Sequence, residues 1–112
     1  STTQKAAPTP TQKPHIVPSA GGYTYLACYN EGLVARALGE AFFPDDQNTI
    51  EKCAAACYPY KYAGAEYGRE CWCGNELKGA TKVNDSDFCT MPCAGGPQQY
   101  CGGIVALNVY VR

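Results

Sequence analysis

Eight cysteines, at positions 28, 53, 57, 71, 73, 89, 93 and 101, have the type and spacing to do the most chemistry in this 112-residue chain. They could ligate two zinc ions as thiolates or close four disulfides. Zinc modules usually present paired C-x2-C knuckles. Here the close spacings are C-x3-C at 53/57, C-x-C at 71/73 and C-x7-C at 93/101. The single histidine, His15, lies outside the cysteine-bearing part. An even number of cysteines in so small a chain predicts four disulfides in a secreted module. Each bridge would contribute ~2–4 kcal/mol, comparable to the whole net stability of a domain of this size. No metal or other cofactor is expected. Asn84, Asp85 and Asp87 lack the period and the glycine of a calcium loop.

Catalysis is poorly provided for. Between residues 23 and 112 there is no histidine and one serine, Ser86, so neither a Ser–His–Asp nor a Cys–His arrangement can be assembled. Asp45, Asp46, Glu66, Glu70 and Glu76 could supply a glycosidase-like carboxylate pair. Acidic side chains of a small domain are ordinarily solvated surface, and no enzymatic activity is expected.

A different chemistry is better supplied. Nine tyrosines, three phenylalanines and one tryptophan all fall after residue 22. Aromatics fill small cores efficiently. Planar rings also stack on the C–H faces of pyranoses while neighbouring amides and carboxylates bind the hydroxyls. The threefold excess of Tyr over Phe favours partly exposed rings, because a phenol hydroxyl needs water or a partner. The candidate ligand-binding rings are Trp72, Tyr67, Tyr60 and Tyr29, with Glu70, Arg69 and Asn75 as the nearest polar partners.

The elements that must position them follow from periodicity. Residues 1–22 hold four of the eight prolines and no aromatic or cysteine, which predicts an extended, largely disordered Thr/Pro-rich linker. The domain is expected over 23–112. Tyr23–Tyr29 alternates as a strand, with Leu26 and Cys28 on one face and Tyr23, Tyr25 and Tyr29 on the other. A closing strand follows Gly102-Gly103, with Val105, Leu107, Val109 and Val111 on one face. Terminal strands of this kind often pair. A helix is predicted over Thr49–Cys57, capped by Asn48 with Glu51 in the capping-box position and stopped by Pro59. The stretch from Leu33 to Phe43 suits either an extended segment or a short helix.

Residues 62–67 and 70–73 predict a hairpin turning at Gly68-Arg69, with Tyr67 opposite Glu70 and Ala65 opposite Trp72. Cys71 and Cys73 would project from one strand face about 7 Å apart. Cys53 and Cys57 lie about 6 Å apart along the helix. The matched spacings allow two side-by-side bridges between helix and hairpin, in either parallel or antiparallel pairing. Trp72 must then face away from the helix, beside Tyr67 and over Ala63 and Ala65.

These residues resemble a WSC domain, the cysteine-rich module of fungal cell-wall stress sensors and many fungal extracellular enzymes. The likeness is carried by Cys28-Tyr29, Arg36-Ala37-Leu38, the run Thr49–Cys57, Tyr62-Ala63-Gly64, the run Glu66–Asn75, Met91–Gly95 and Cys101-Gly102-Gly103. It extends to Leu107-Asn108-Val109-Tyr110. The resemblance implies an α+β fold similar to the PAN/apple group, with an antiparallel sheet and one main helix. It implies the bridges Cys28–Cys89, Cys53–Cys71, Cys57–Cys73 and Cys93–Cys101. It also implies carbohydrate binding, with β-1,3-glucan the first expectation and chitin or xylan the alternatives. The expected role is then to anchor a larger secreted, cell-wall-associated protein. A protein–protein or mechanical module that self-associates through its aromatic surface is the competing expectation.

Seven basic against ten acidic residues in 23–112 leave no stripe for nucleic acid, and no apolar run approaches the ~20 residues of a membrane span. Asn84-Asp85-Ser86 is an N-glycosylation sequon.

Overall fold

The computed structural model describes residues 13–32 and 36–112. Most of the expected linker, residues 1–12, lies outside the described residues, as do Leu33, Val34 and Ala35 of the ambiguous stretch. The strands are β1 (Ser19–Ala20), β2 (Tyr23–Asn30), β3 (Ala41–Pro44), β4 (Tyr62–Glu66), β5 (Glu70–Gly74), β6 (Thr81–Val83), β7 (Pro92–Cys93), β8 (Gly96–Tyr100) and β9 (Ala106–Val111). The helices are α1 (Ile50–Cys57) and the short α2 (Asp85–Phe88). An antiparallel sheet runs β1-β2-β9-β4-β5-β3, with β6 also on β2, and β7-β8 form a separate ribbon. The fold is the expected α+β arrangement, and the two terminal strands pair, β2 against β9.

Helix α1 lies on one face of the sheet because Ile50, Cys53, Ala54 and Cys57 recur on one side of it and bury there. They meet Ala63, Ala65, Cys71 and Cys73 of the hairpin and Tyr23 and Tyr110 of the terminal strands. All four expected bridges form: Cys28–Cys89, Cys53–Cys71, Cys57–Cys73 and Cys93–Cys101. The helix–hairpin pair is therefore parallel, with Cα separations of 5.4 and 5.3 Å. The sulfurs of Cys53, Cys57 and Cys71 cluster within 4.8 Å because these bridges lie side by side. Sulfurs committed to disulfides are not thiolate ligands.

Four local expectations are corrected. Thr49, not Asn48, caps α1, its side chain accepting from Lys52 N at 3.1 Å. Asn48 is instead buried, with its carbonyl accepting from Gly95 N, and Glu51 accepts from the Gln99 side-chain amide rather than closing a capping box. In β2 a bulge falls between Tyr25 and Ala27, so Leu26 turns outward at 41 % exposure while Tyr23 is buried. The bulge also moves Tyr29 to the sheet face opposite Tyr23 and Tyr25. In the closing segment Leu107 and Val109 do share a buried face, but Val105 precedes β9 and is exposed.

The fourth concerns the linker. His15 bridges to Gln99, β1 pairs with β2, and Val17 is buried, its carbonyl accepting from the Tyr110 hydroxyl at 2.7 Å. Residues 15–20 are therefore packed against the domain. The signal was the apolar pair Ile16-Val17 inside a Pro-rich stretch.

Candidate functional site

The hairpin register differs by one residue from expectation. Glu66 opposes Glu70, Ala65 opposes Cys71 and Gly64 opposes Trp72. The turn is Tyr67-Gly68-Arg69, with Tyr67 at φ +57° and Gly68 at φ +75°. Tyr67 N donates to Gly103 O and Gly68 N to Cys101 O, each at 3.0 Å. Those distant contacts hold an aromatic residue in a left-handed conformation that it rarely adopts alone.

Trp72 does face away from α1. The floor beside it is Gly64, not Ala63 and Ala65, which turn toward the helix. A Cβ on Gly64 would come within 2.7 Å of Leu107 and 2.9 Å of Leu38. The absent side chain lets Leu38 drop onto the sheet, so Arg36–Glu40 folds across this face with Ala37 and Leu38 buried. The face expected to be open is largely covered.

What stays accessible is a stack at the sheet edge. On edge strand β3, Phe42 pairs across from Trp72. Their ring centroids are 4.0 Å apart and the planes 19° from parallel. The Arg36 guanidinium carbon lies 4.4 Å from the Trp72 ring centroid. Phe42 fills one face of the indole, so Arg36 takes the other. Trp72 Nε1 donates to Glu70 Oε1 at 3.2 Å. Both faces of the indole are thus occupied within the protein, and the open aromatic face belongs to Phe42, at 42 % exposure. Neither Phe42 nor Arg36 was among the candidate residues. The Phe42-Phe43-Pro44 run before two aspartates was the available signal, hidden in a stretch of undecided conformation.

The other candidates distribute along the hairpin. Tyr67 and Arg69 sit at its tip, where Arg69 Nε donates to Asp46 Oδ1 at 2.6 Å. At the opposite end Tyr60 and Asn75, with Pro59, line a cleft of about 240 Å³. Asn75 Oδ1 accepts from Lys61 N at 2.9 Å, leaving its amide NH2 to donate. Tyr29 stands apart, half-buried against the Leu107 and Val109 cluster. The structure brings Trp72 with Glu70, and Tyr60 with Asn75, but does not join all seven.

Beneath the stack lies a carboxyl pair. Glu66, 2 % exposed, receives Arg36 NH1 at 3.4 Å, and Glu31 receives the same nitrogen at 2.9 Å and Ala37 N at 2.9 Å. Burial first, then the neighbouring Glu31 carboxylate, pushes the Glu66 carboxyl up to about 9. Burial also acts to raise Glu31, but hydrogen bonds from Glu66, the Ala37 amide and Arg36 outweigh it and hold Glu31 below its ordinary value. One proton is therefore shared across the pair at neutral pH.

Folding raises the Glu66 value, so the native state binds the extra proton. Its contribution to stability is full below the ordinary carboxylate range and is lost as pH rises toward 9. The slope is at most ~1.4 kcal/mol per pH unit. Thermal melts should fall between pH 5 and pH 9, and Glu66→Gln should flatten that decline. A wild-type profile as flat as the variant's would dismiss the shared proton. Glu70 is the other acidic group felt by Glu66.

A helix bolted by two disulfides to an antiparallel sheet, with an aromatic stack at the sheet's edge, defines a small disulfide-built α+β module. The WSC domain profile matches residues 25–103, and the chain belongs to the WSC domain family. It is 38 % identical over 104 residues to a WSC domain-containing protein of Arthroderma benhamiae, covering 85 % of this chain and 11 % of that protein. It is 39 % identical over 99 residues to a protein of Chaetomium globosum named putative fungistatic metabolite, covering 85 % and 44 %. Xylosyltransferase oxt of Drosophila melanogaster is 36 % identical over 98 residues, covering 81 % and 11 %. The chain spans from about a tenth to under half the length of these relatives, where the domain is one module of a larger protein.

Proposed function

We propose that this chain is a non-catalytic carbohydrate-binding module for fungal cell-wall polysaccharide, β-1,3-glucan first, that tethers an attached secreted protein to the wall. The observation that carries it is the Phe42–Trp72–Arg36 stack, which presents the half-exposed Phe42 ring on an edge strand, backed by an indole that Arg36 covers from the other side and Glu70 holds through its N–H. A pyranose laid on the open face of Phe42 would stack its C–H face on a ring that the indole and Arg36 hold in place from behind. From Arg69 to Asn75 the strand runs roughly 20 Å, long enough for several sugar units in a row. Tyr60 and Asn75 at one end, and Tyr67 and Arg69 at the other, would serve as flanking subsites. A site of this kind is weak alone, and neighbouring modules in a longer protein would add avidity. The family and the small share of each relative that the module occupies support a binding rather than a reacting role.

The test is retention of the folded chain on insoluble β-1,3-glucan, chitin and xylan. Glucan retention greater than on the other two is the expected result. Loss from all three, together with concentration-dependent self-association, would favour a protein–protein module instead.

A further inference from the structure

Away from the stack, Phe88 of α2, Met91, Pro92, Ile104 and Val105 line an apolar groove of about 430 Å³. Phe88, Ile104 and Val105 are 46, 72 and 59 % exposed, an unusual display of apolar side chains for so small a domain. The groove is a built feature. A Cβ on Gly103 would strike the Phe88 carbonyl oxygen, so that glycine lets the segment before β9 press directly on α2.

The sequon opens α2, whose later residues Asp87 and Phe88 line the groove. Asn84 is exposed, and its Oδ1 accepts from Ser86 N at 2.9 Å, Ser86 Oγ at 2.7 Å and Asp87 N at 3.2 Å. Among the described residues its side-chain nitrogen donates to no protein group, which leaves the one atom that glycosylation needs directed at no partner. Phe88 N donates to Asn84 O at 3.2 Å, so a single turn of the short α2, a rise of about 5.4 Å, separates the capping Asn84 from Phe88. We propose that Asn84 carries an N-linked glycan whose inner sugars lie over Phe88 and along the Ile104–Val105 groove.

The bond arises by transfer from a lipid-linked oligosaccharide pyrophosphate in the secretory route. A C1–N bond forms to Asn84 Nδ2, the C1–O bond to pyrophosphate breaks, the amide gives up one proton, and the lipid pyrophosphate departs. The attached sugars then bring their C–H faces to an aromatic and aliphatic surface, with Asp87 and Thr90 at the groove to meet hydroxyls. Polysaccharide binding at the stack is not required.

The chain secreted from a eukaryotic host should show an oligosaccharide mass on the Asn84 peptide, removed by peptide N-glycosidase. Ser86→Ala, which keeps Asn84 and its cap, should lack it. Enzymatic deglycosylation of the folded wild type should raise fluorescence of the apolar-surface dye anilinonaphthalene sulfonate several-fold, and Phe88→Ala should remove most of that rise. An unmodified Asn84 peptide would overturn the site. A modified peptide with unchanged dye fluorescence on deglycosylation would overturn the placement over the groove.

Discussion

Reduction of the four disulfides should unfold this domain, while the oxidised form should withstand heating and chelators alike. The bridge Cys28–Cys89 spans 61 positions, and its closure alone removes roughly 4 kcal/mol of unfolded-chain entropy. The bridges at separations of 18 and 16 each add about 3 kcal/mol by the same account. These loops overlap and their contributions do not simply add. Even half of the combined figure is comparable to the ~5–15 kcal/mol net stability of an ordinary domain. The alternative sources are thin: α1 has eight residues, and much of its buried face is cysteine and alanine. Circular dichroism with and without reductant decides the matter. Equal melting temperatures in the two conditions, or loss of fold in a chelator, would refute the dependence on bridges.

Phe42→Ala should leave the fold intact and cut glucan retention by at least several-fold, because it removes the only open ring of the stack. A ring stacked on a planar partner is worth about 1–3 kcal/mol, by analogy with base-stacking platforms. Trp72→Ala should reduce retention as strongly but also lower the melting temperature, since the indole supports Phe42, Arg36 and the Leu38 cover together. Tyr67→Ala and Tyr60→Ala, at the hairpin ends, should weaken retention less. The comparison of Phe42 with Trp72 carries the weight. A folded Phe42→Ala variant with normal retention would move the site off the β3 edge, toward the hairpin ends.

Much was legible from local pattern because local pattern is what fixed it. Cysteine number and crowding announced four disulfides, since an even set of cysteines in so small a domain, without paired zinc-knuckle spacings, is the pattern of a disulfide framework. The recurrence of Ile50, Cys53 and Cys57 on one helical face, and the matched spacing of Cys71 and Cys73, placed α1 on the hairpin. The same alternation turned Trp72 away from the helix. Family likeness completed the bridge pairing that spacing alone left open. Even the sequon was plain, though what adjoins it was not.

The tertiary structure decided the rest, and in each case through contacts between residues far apart in sequence. The hairpin register depends on Tyr67 and Gly68 being held by the carbonyls of Gly103 and Cys101, so no local turn rule could supply the extra residue. Asn48 is a sound cap by propensity, yet Gly95 and the Cys93–Cys101 ribbon claim it for the interior, and Thr49 takes its place. The β2 bulge separates Tyr29 from Tyr23 and Tyr25 only because β9 imposes the register. Above all, the identity of the open ring follows from Gly64. Its missing side chain admits Leu38, Leu38 brings Arg36 over one face of the indole, and β3 brings Phe42 over the other. The sequence thus determined that an indole would stand on the helix-distal face. Packing from three separate segments determined that its neighbour would be the one exposed, because a ring's accessibility is a property of everything that reaches it.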